Sequence, residues 1–317
     1  MTLFLNEQQV TELLTMETAL AAVEEALRQH GLGTATNNPR SRVRLPTGQL
    51  HMMGAALPQR GVFGYKAYTA VKGQVRFHVM LYSTDTGELL ALLQADRLGQ
   101  MRTGAASGIA TKYLARDEAR TVGIFGTGWQ ARSQLEAVCA VRPIQAIRAY
   151  GRDATRRQTF CTEMSRQLGI PVEPATSPEA AVRGMDVVIT ATNAREPLFD
   201  GHWLEAGAHV NAIGSNTLIR REIDDTTVRR SALIVVDSKE QARIECGDLL
   251  GALERGFVHW EQIRELGEVV AGFIPGRRQA SDITLFESHG LAIWDLAAGL
   301  AVYEAAKVKG IGRDLAL

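Results

Sequence analysis

The 317-residue sequence lacks the marks of several whole classes of protein. Its three cysteines, Cys139, Cys161 and Cys246, lie far apart and form no CxxC pair. This argues against a disulfide framework or a cysteine-based zinc site, and it fits a reducing, cytoplasmic setting. No HxxxH or HExxH spacing occurs among the seven histidines, so no metal site is expected. Lys plus Arg equals Asp plus Glu at 35 each, giving zero formal net charge. A chain-wide surface for nucleic acid or a polybasic membrane anchor is therefore not expected. No apolar run approaches the roughly 18 residues a bilayer span requires. The opening "MTLFLNEQQVTELLTM" is broken by Asn6, Glu7 and Glu12, which makes it a poor secretory signal. There is no GxSxG elbow of the commonest serine hydrolases, no internal repeat and no low-complexity tract.

What is present is an ordinary globular composition, 45% apolar and 22% charged, in a chain long enough for two domains. The first 30 residues have helical spacing, with Val10, Leu13 and Leu14 and then Leu20, Val23 and Leu27 on one side, ended by Gly31 and Gly33. Short strand-like runs follow, among them "RSRVRL", "QLHMMGA", "GVFGYKAYTA" and "RFHVMLYS". "LYSTDTGELLALLQA" reads as a hairpin turning at Asp85-Thr86-Gly87. "GQMRTGAASGIATKYLA" is a helix of small residues that can pack closely.

From Thr121 strands and helices alternate. Strands are expected at 122–125, 146–150, 186–191, 209–213 and 232–236, with helices such as 131–141 and 154–168 between them. That rhythm predicts an α/β fold: a Rossmann-type, doubly wound parallel sheet covered on both faces, beside a smaller α+β substrate and dimerisation domain. The tail from Leu285 reads as one helix with Ile293, Leu296, Leu300 and Tyr303 on one side. It is expected to complete a first domain of residues 1–115 with residues 295–317, leaving residues 116–294 as the dinucleotide-binding domain.

"TVGIFGTGWQARSQLEAV" carries the chemistry of the second domain. Gly126-Thr127-Gly128-Trp129-Gln130-Ala131 fits GxGxxA between a strand and a helix. Gly126 allows the tight turn, Gly128 lets the backbone approach a pyrophosphate, and Ala131 keeps helix and strand close. The helix N-terminus offers free N–H groups to phosphate. The next strand ends in Gly151 and Arg152, where an acidic residue would read an adenosine ribose. Arg152 can pair with a 2′-phosphate, which leans the cofactor NAD(P)H toward NADP(H); Asp153, one residue late, keeps the ribose alternative open.

The first domain holds cations in unusual company. Arg40, Arg42 and Arg44 alternate, so a strand would put all three on one face. Lys66 interrupts an apolar strand, a placement commoner at a sheet edge, and Arg102 opens the small-residue helix. Together they outline a pocket for a carboxylate. His51 and His78 read as packing residues of strands, whereas His289 precedes Gly290 at the start of the last helix.

These motifs, in the order "ALLQADRLGQMRTGAASGIATKYLAR", "GIFGTGWQARSQLEAV", "VVITATNAREPLF", "HVNAIGSN", "RREID", "VVDS", "GDLL", "ELGEVVAG" and "DITLFESHGLAIWDLA", span nearly the whole chain. The sequence resembles the ornithine cyclodeaminase/mu-crystallin family. The resemblance implies a homodimer acting on a small imino or amino acid. It implies that Arg40 and Lys66 hold the substrate carboxylate and that Arg102 lies between substrate and cofactor. It places Trp129 and Gln130 at the phosphate turn, Thr192, Ile213 and Gly214 beside the nicotinamide, and Ser288 and His289 against nicotinamide and substrate. Cyclodeaminases carry an aspartate after the "GG" or "GA" step, where this chain reads Gly214-Ser215-Asn216. Asn216 can donate a hydrogen bond but cannot take up a proton at neutral pH. The departure favours reduction of a 2-imino acid, cyclic or open-chain such as iminosuccinate, over ammonia-releasing ornithine cyclisation. A second carboxylate would be met by Arg42 or Arg44. A non-enzymatic, mu-crystallin-like holder of NADPH is the remaining alternative.

Overall fold

The two rhythms of the sequence fold into two eight-stranded sheets. The structure, a computed structural model, describes residues 1–316. Its first part runs β1 (Thr2–Leu5), α1 (Glu7–Leu13), α2 (Met16–Gly31), β2 (Thr36–Asn37), β3 (Ser41–Leu45), β4 (Gly48–Leu57), β5 (Val62–Val71), β6 (Gln74–Ser83), β7 (Leu89–Gln94) and α3 (Asp96–Leu114). The alternating stretch continues as β8 (Thr121–Phe125), α4 (Trp129–Val141), β9 (Ala146–Tyr150), α5 (Ala154–Leu168), β10 (Val172–Pro174), β11 (Val187–Thr190) and β12 (His209–Ala212). It closes with α6 (Asp225–Arg230), β13 (Ser231–Val236), α7 (Lys239–Glu245), α8 (Gly247–Glu254), β14 (Arg264–Glu265), α9 (Leu266–Val270) and β15 (Ile283–Glu287). Last come α10 (Ala292–Lys309) and β16 (Arg313–Leu315).

Residues 1–106 and 290–317 form one unit, and residues 107–289 the other. The first division falls inside α3 and the second just before α10. In the first unit the strand order is β16-β1-β7-β6-β5-β4-β2, with β3 on β4. Antiparallel pairing through β4, β5, β6 and β7 puts alternate side chains on opposite faces. Met53, Lys66, Val79 and Leu93 form one cross-strand row, and His51, Tyr68 and Phe77 form the next row on the same face. α10 packs against α2, β4 and β5. The opposite face carries Val43, Leu45, Met52, Phe63, Tyr65, Met80 and Tyr82.

The second unit is an all-parallel sheet in the order β10-β9-β8-β11-β12-β15-β13-β14. Val122, Ile124, Ile147, Val187 and Ile189 bury one face with residues of α4 and α5. Val188, Val210, Ile234, Val236 and Leu285 bury the other with residues of α7 and α8. This is the doubly wound α/β architecture the alternation predicts, and its strands are near-continuous apolar runs because both faces are covered.

Two elements correct the sequence reading. The helical entry is preceded by β1, which pairs parallel with β7 and antiparallel with β16. The tail is not one helix. Ile283–Glu287 is β15, between β12 and β13, and helix begins only at Ala292. Gly290, at φ 88, separates the two elements.

Candidate functional site

In the first unit, cations gather around one carboxylate. Lys66 Nζ lies 2.8 Å from Asp295 Oδ1, and Arg102 Nε donates to the same oxygen at 3.0 Å. Lys66 is 2% exposed, Arg102 7%, Arg40 7% and Asp295 0%. Lys66 and Arg102 share one buried carboxylate oxygen, two cations to one anion, which leaves positive charge that an anionic ligand would balance. Two atoms at its centre lack a protein partner, Arg102 Nη1 and Asp295 Oδ2. Aromatic faces line the rest, with Phe77 and Tyr68 at 5.2 and 6.0 Å from Lys66 Nζ and Trp294 at 5.8 Å from the Arg102 guanidinium. Burial, with Arg102 and then Arg40 adding to it against the pull of Asp295, brings the Lys66 ammonium down to about 8.

Lys66 is therefore not at a sheet edge. β5 is an interior strand, and the side chain points beneath α10 toward Asp295. The three arginines do not form one buried row. Arg40 precedes β3 and is buried, Arg42 is half-buried and Arg44 is exposed, because β3 is an edge strand paired only with β4. His51 stacks on Tyr68 at 4.1 Å. Burial, then Arg42 and Arg40, lowers it to about 4, so it is neutral at physiological pH. Its packing role is as read, yet its row places it beside the cations.

In the second unit, Gly126 sits at φ 102, and a Cβ there would lie 2.3 Å from the Ala191 carbonyl oxygen. Only glycine allows that turn. Gly128 is the N-cap of α4, with no side-chain cap and nothing within 4 Å of a would-be Cβ. The N-terminus of α4 thus carries no side-chain cap, the arrangement found where such a turn takes a pyrophosphate. Ala131 is fully buried, Gln130 half-buried and Trp129 49% exposed. At the end of β9, Asp153 Oδ1 accepts the Arg156 N–H and caps α5. Arg152 and Arg156 are exposed, while Arg157 lies over the Tyr150 ring and donates to the Gly151 carbonyl.

Thr192 and Gly214 follow β11 and β12, and a single buried carboxylate joins them. Glu222 accepts from the Thr192 N–H at 2.7 Å, the Thr192 hydroxyl at 2.6 Å, the Thr190 hydroxyl at 2.8 Å and the Gly214 N–H at 2.7 Å. Burial and the nearby Asp248 push Glu222 up to about 7 against those donors. Ile213 and Asn216 are half-buried in the same loop. Ser288 and His289 close the unit over Asp237. The His289 N–H donates to Asp237 Oδ2 at 2.6 Å, and its Nδ1 lies 3.4 Å from Asp237 Oδ1. Cys246, Glu287 and His289 present ligand-type atoms within 4.8 Å of one another. Burial and neighbouring carboxylates push both the Glu287 carboxyl and the Cys246 thiol well up, which favours their neutral forms.

Sequence reasoning missed Asp295, Glu222 and Asp237. Each acts on residues at least 30 positions away, although Glu222 also reaches Gly214 eight positions before it, so local spacing carries little trace of them.

A GxGxxA turn on a doubly wound sheet, in a chain that also buries a cluster of cations, is the arrangement expected of a dinucleotide-dependent protein that handles small organic acids. The comparisons agree. The description of the ornithine cyclodeaminase/mu-crystallin family matches residues 1–310, and the chain belongs to that family. It is 37% identical to an alanine dehydrogenase of Archaeoglobus fulgidus, over 99% of this chain and 98% of that protein. The Delta(1)-pyrroline-2-carboxylate reductase of Thermococcus litoralis, solved in complex with NADH and L-proline, superposes with a TM-score of 0.94 at 37% identity, over 99% of this chain and 100% of that one. An archaeal alanine dehydrogenase dimer with bound NAD superposes with a TM-score of 0.93 at 35% identity, over 100% of this chain and 99% of that one. No helix among the described residues is long and apolar enough to cross a membrane.

Proposed function

We propose that the protein is an NAD(P)-dependent oxidoreductase acting on CH–NH groups, reducing a 2-imino acid to an L-amino acid and running in reverse as an amino-acid dehydrogenase. The observation that carries this reading is the buried Lys66–Asp295–Arg102 cluster with Arg40 beside it, in a chain that also presents an uncapped GxGxxA helix. The residues fit the coenzyme. The α4 N-terminus and Gly128 would take the pyrophosphate, and Thr192, Ile213, Gly214 and Ser288 the nicotinamide. When bound there, reduced coenzyme would supply hydride chemistry.

The chain's own groups do the rest. Arg40 and Lys66 hold the α-carboxylate, and Arg102, steadied by Asp295, adds charge beside it. Lys66, or a water it holds, delivers the proton that balances the hydride. His289 and Asn216 contribute hydrogen-bonding groups, and an imine that takes its proton from Lys66 needs no further proton donor. Arg42, half-buried and cross-strand from His51, supports a reading in which a second acid group is met there, as in an open-chain dicarboxylic imine such as iminosuccinate.

Asp153 is engaged as a helix cap, and exposed Arg152 follows Gly151 directly. This supports NADP(H) over NAD(H), although the solved relatives hold NAD or NADH. The apolar outer face of the first sheet supports a homodimer, since Phe63, Met52, Val43 and Leu45 are 38–53% exposed there.

One spectrophotometric screen tests the reading. Reduced-coenzyme absorbance is followed with pyrroline-2-carboxylate, and with pyruvate or oxaloacetate plus ammonia, using NADPH and NADH in parallel. The expected result is consumption of coenzyme with a 2-imino acid. Ammonia release from ornithine without net reduction, or tight coenzyme binding with no turnover, would overturn it.

A further inference from the structure

We infer that Glu222 is the positioning residue for the nicotinamide end of the coenzyme. Its carboxylate ties the loop after β11 to the loop after β12 and so fixes both at once. The inference rests on the proposed assignment of Thr192 and Gly214 to the nicotinamide side.

The geometry is a four-donor knot. One carboxylate oxygen takes the Thr192 N–H and hydroxyl, and the other takes the Thr190 hydroxyl and the Gly214 N–H. Two of these donors are backbone N–H groups on neighbouring parallel strands' exits, so Glu222 sets main-chain positions as well as side-chain rotamers. The knot leaves no spare space. A Cβ on Gly214 would lie 2.2 Å from the Thr192 carbonyl oxygen and 2.6 Å from Glu222 Oε1.

Glu222 is itself held from behind. Its own N–H and that of Ile223 donate to Asp248 Oδ1 at 2.6 and 2.9 Å. Its carbonyl accepts the Leu198 N–H at 2.8 Å. Asp248 opens α8 immediately after Gly247, where a Cβ would lie 2.0 Å from the Arg220 carbonyl oxygen. The "RREID" and "GDLL" segments thus form one brace whose single outward product is the carboxylate beneath the two loops.

A carboxylate is needed because it accepts on both oxygens. In Glu222→Gln the amide NH₂ must face either the Thr192 pair or the Thr190–Gly214 pair. A hydroxyl can rotate to accept, but a backbone N–H cannot, so one loop is pushed away in either orientation. The adenosine end, bound at the α4 N-terminus and β9, is untouched.

The test compares binding of NADPH with binding of 2′,5′-ADP, which carries only the adenosine end, in wild type and Glu222→Gln; NADH and ADP run in parallel. The expected result is NADPH binding weakened about tenfold, 2′,5′-ADP binding unchanged, and kcat lowered at saturating coenzyme. Thr192→Val, which removes one half-buried hydroxyl of the knot, should show the same selective loss, and Thr192→Ser should restore it. Equal loss of both ligands, or NADPH binding unchanged in both Glu222→Gln and Thr192→Val, would overturn the inference. If the wild type reduces no imine, the functional reading fails, while the binding comparison still decides the role of Glu222.

Discussion

Lys66 is an ammonium whose surroundings favour its neutral form, and Asp295 is the group that opposes them. Burial and Arg102 lower it from 10.5 to about 8, whereas Asp295 raises it. A lysine that gives up a proton must carry one, so imine reduction should decline as pH rises through about 8. Amino-acid oxidation, which needs the neutral amine, should rise over the same interval. Asp295→Asn removes the raising influence, and the alkaline limb should then move to lower pH; an unmoved limb in pH–rate profiles would detach Asp295 from Lys66. Lys66→Ala should cost roughly 2–4 kcal/mol of transition-state stabilisation, a loss of about 30- to 1,000-fold in kcat/KM. NADPH titration of that variant should remain as in wild type, because no part of the GxGxxA turn is altered.

At the scale of elements, the proposed preference for NADP(H) is tested at the β9–α5 junction. Arg152→Ala should raise the KM for NADPH roughly tenfold and leave that for NADH unchanged, as loss of one charge-assisted contact to a 2′-phosphate predicts; steady-state kinetics with both coenzymes checks it. This junction was legible in the sequence because Gly151 and Arg152 stand at the end of a run whose register follows from the strand before it. Of the parallel strands, β8, β9, β11, β12 and β13 were legible for a related reason: apolar runs separated by helical spacing admit few other arrangements, whereas the three-residue β10 was not read. β15 was not. "ITLFE" runs straight into "GLAIWDLAAG", and an apolar stretch with no polar break satisfies strand and helix spacing equally well. β1 was hidden similarly, four residues ahead of a strong helix. Lys66 was visible as an anomaly in a strand, but its meaning depended on Asp295, which looks like any acidic residue in the first turn of a helix.

At the scale of the molecule, the uncovered face of the first sheet bears on assembly. Phe63→Glu combined with Tyr82→Glu places two charges among Tyr65, Met80 and Met52; on the proposed homodimer, wild type should sediment as a dimer and this variant as a monomer. The chain order of the two units has a separate consequence. Residues 107–289 are continuous, so that unit has all its strands once His289 has been synthesised. The other unit does not, because β1 lies between β7 and β16, and α10 brings Trp294, Leu296 and Leu300 only at the end. During translation the earliest strands therefore wait, with one apolar flank bare and Lys66 and Arg102 lacking their counter-ion. The part made first is finished last, and a ribosome halted before α10 would release a chain prone to aggregate even though its nucleotide-binding half is complete.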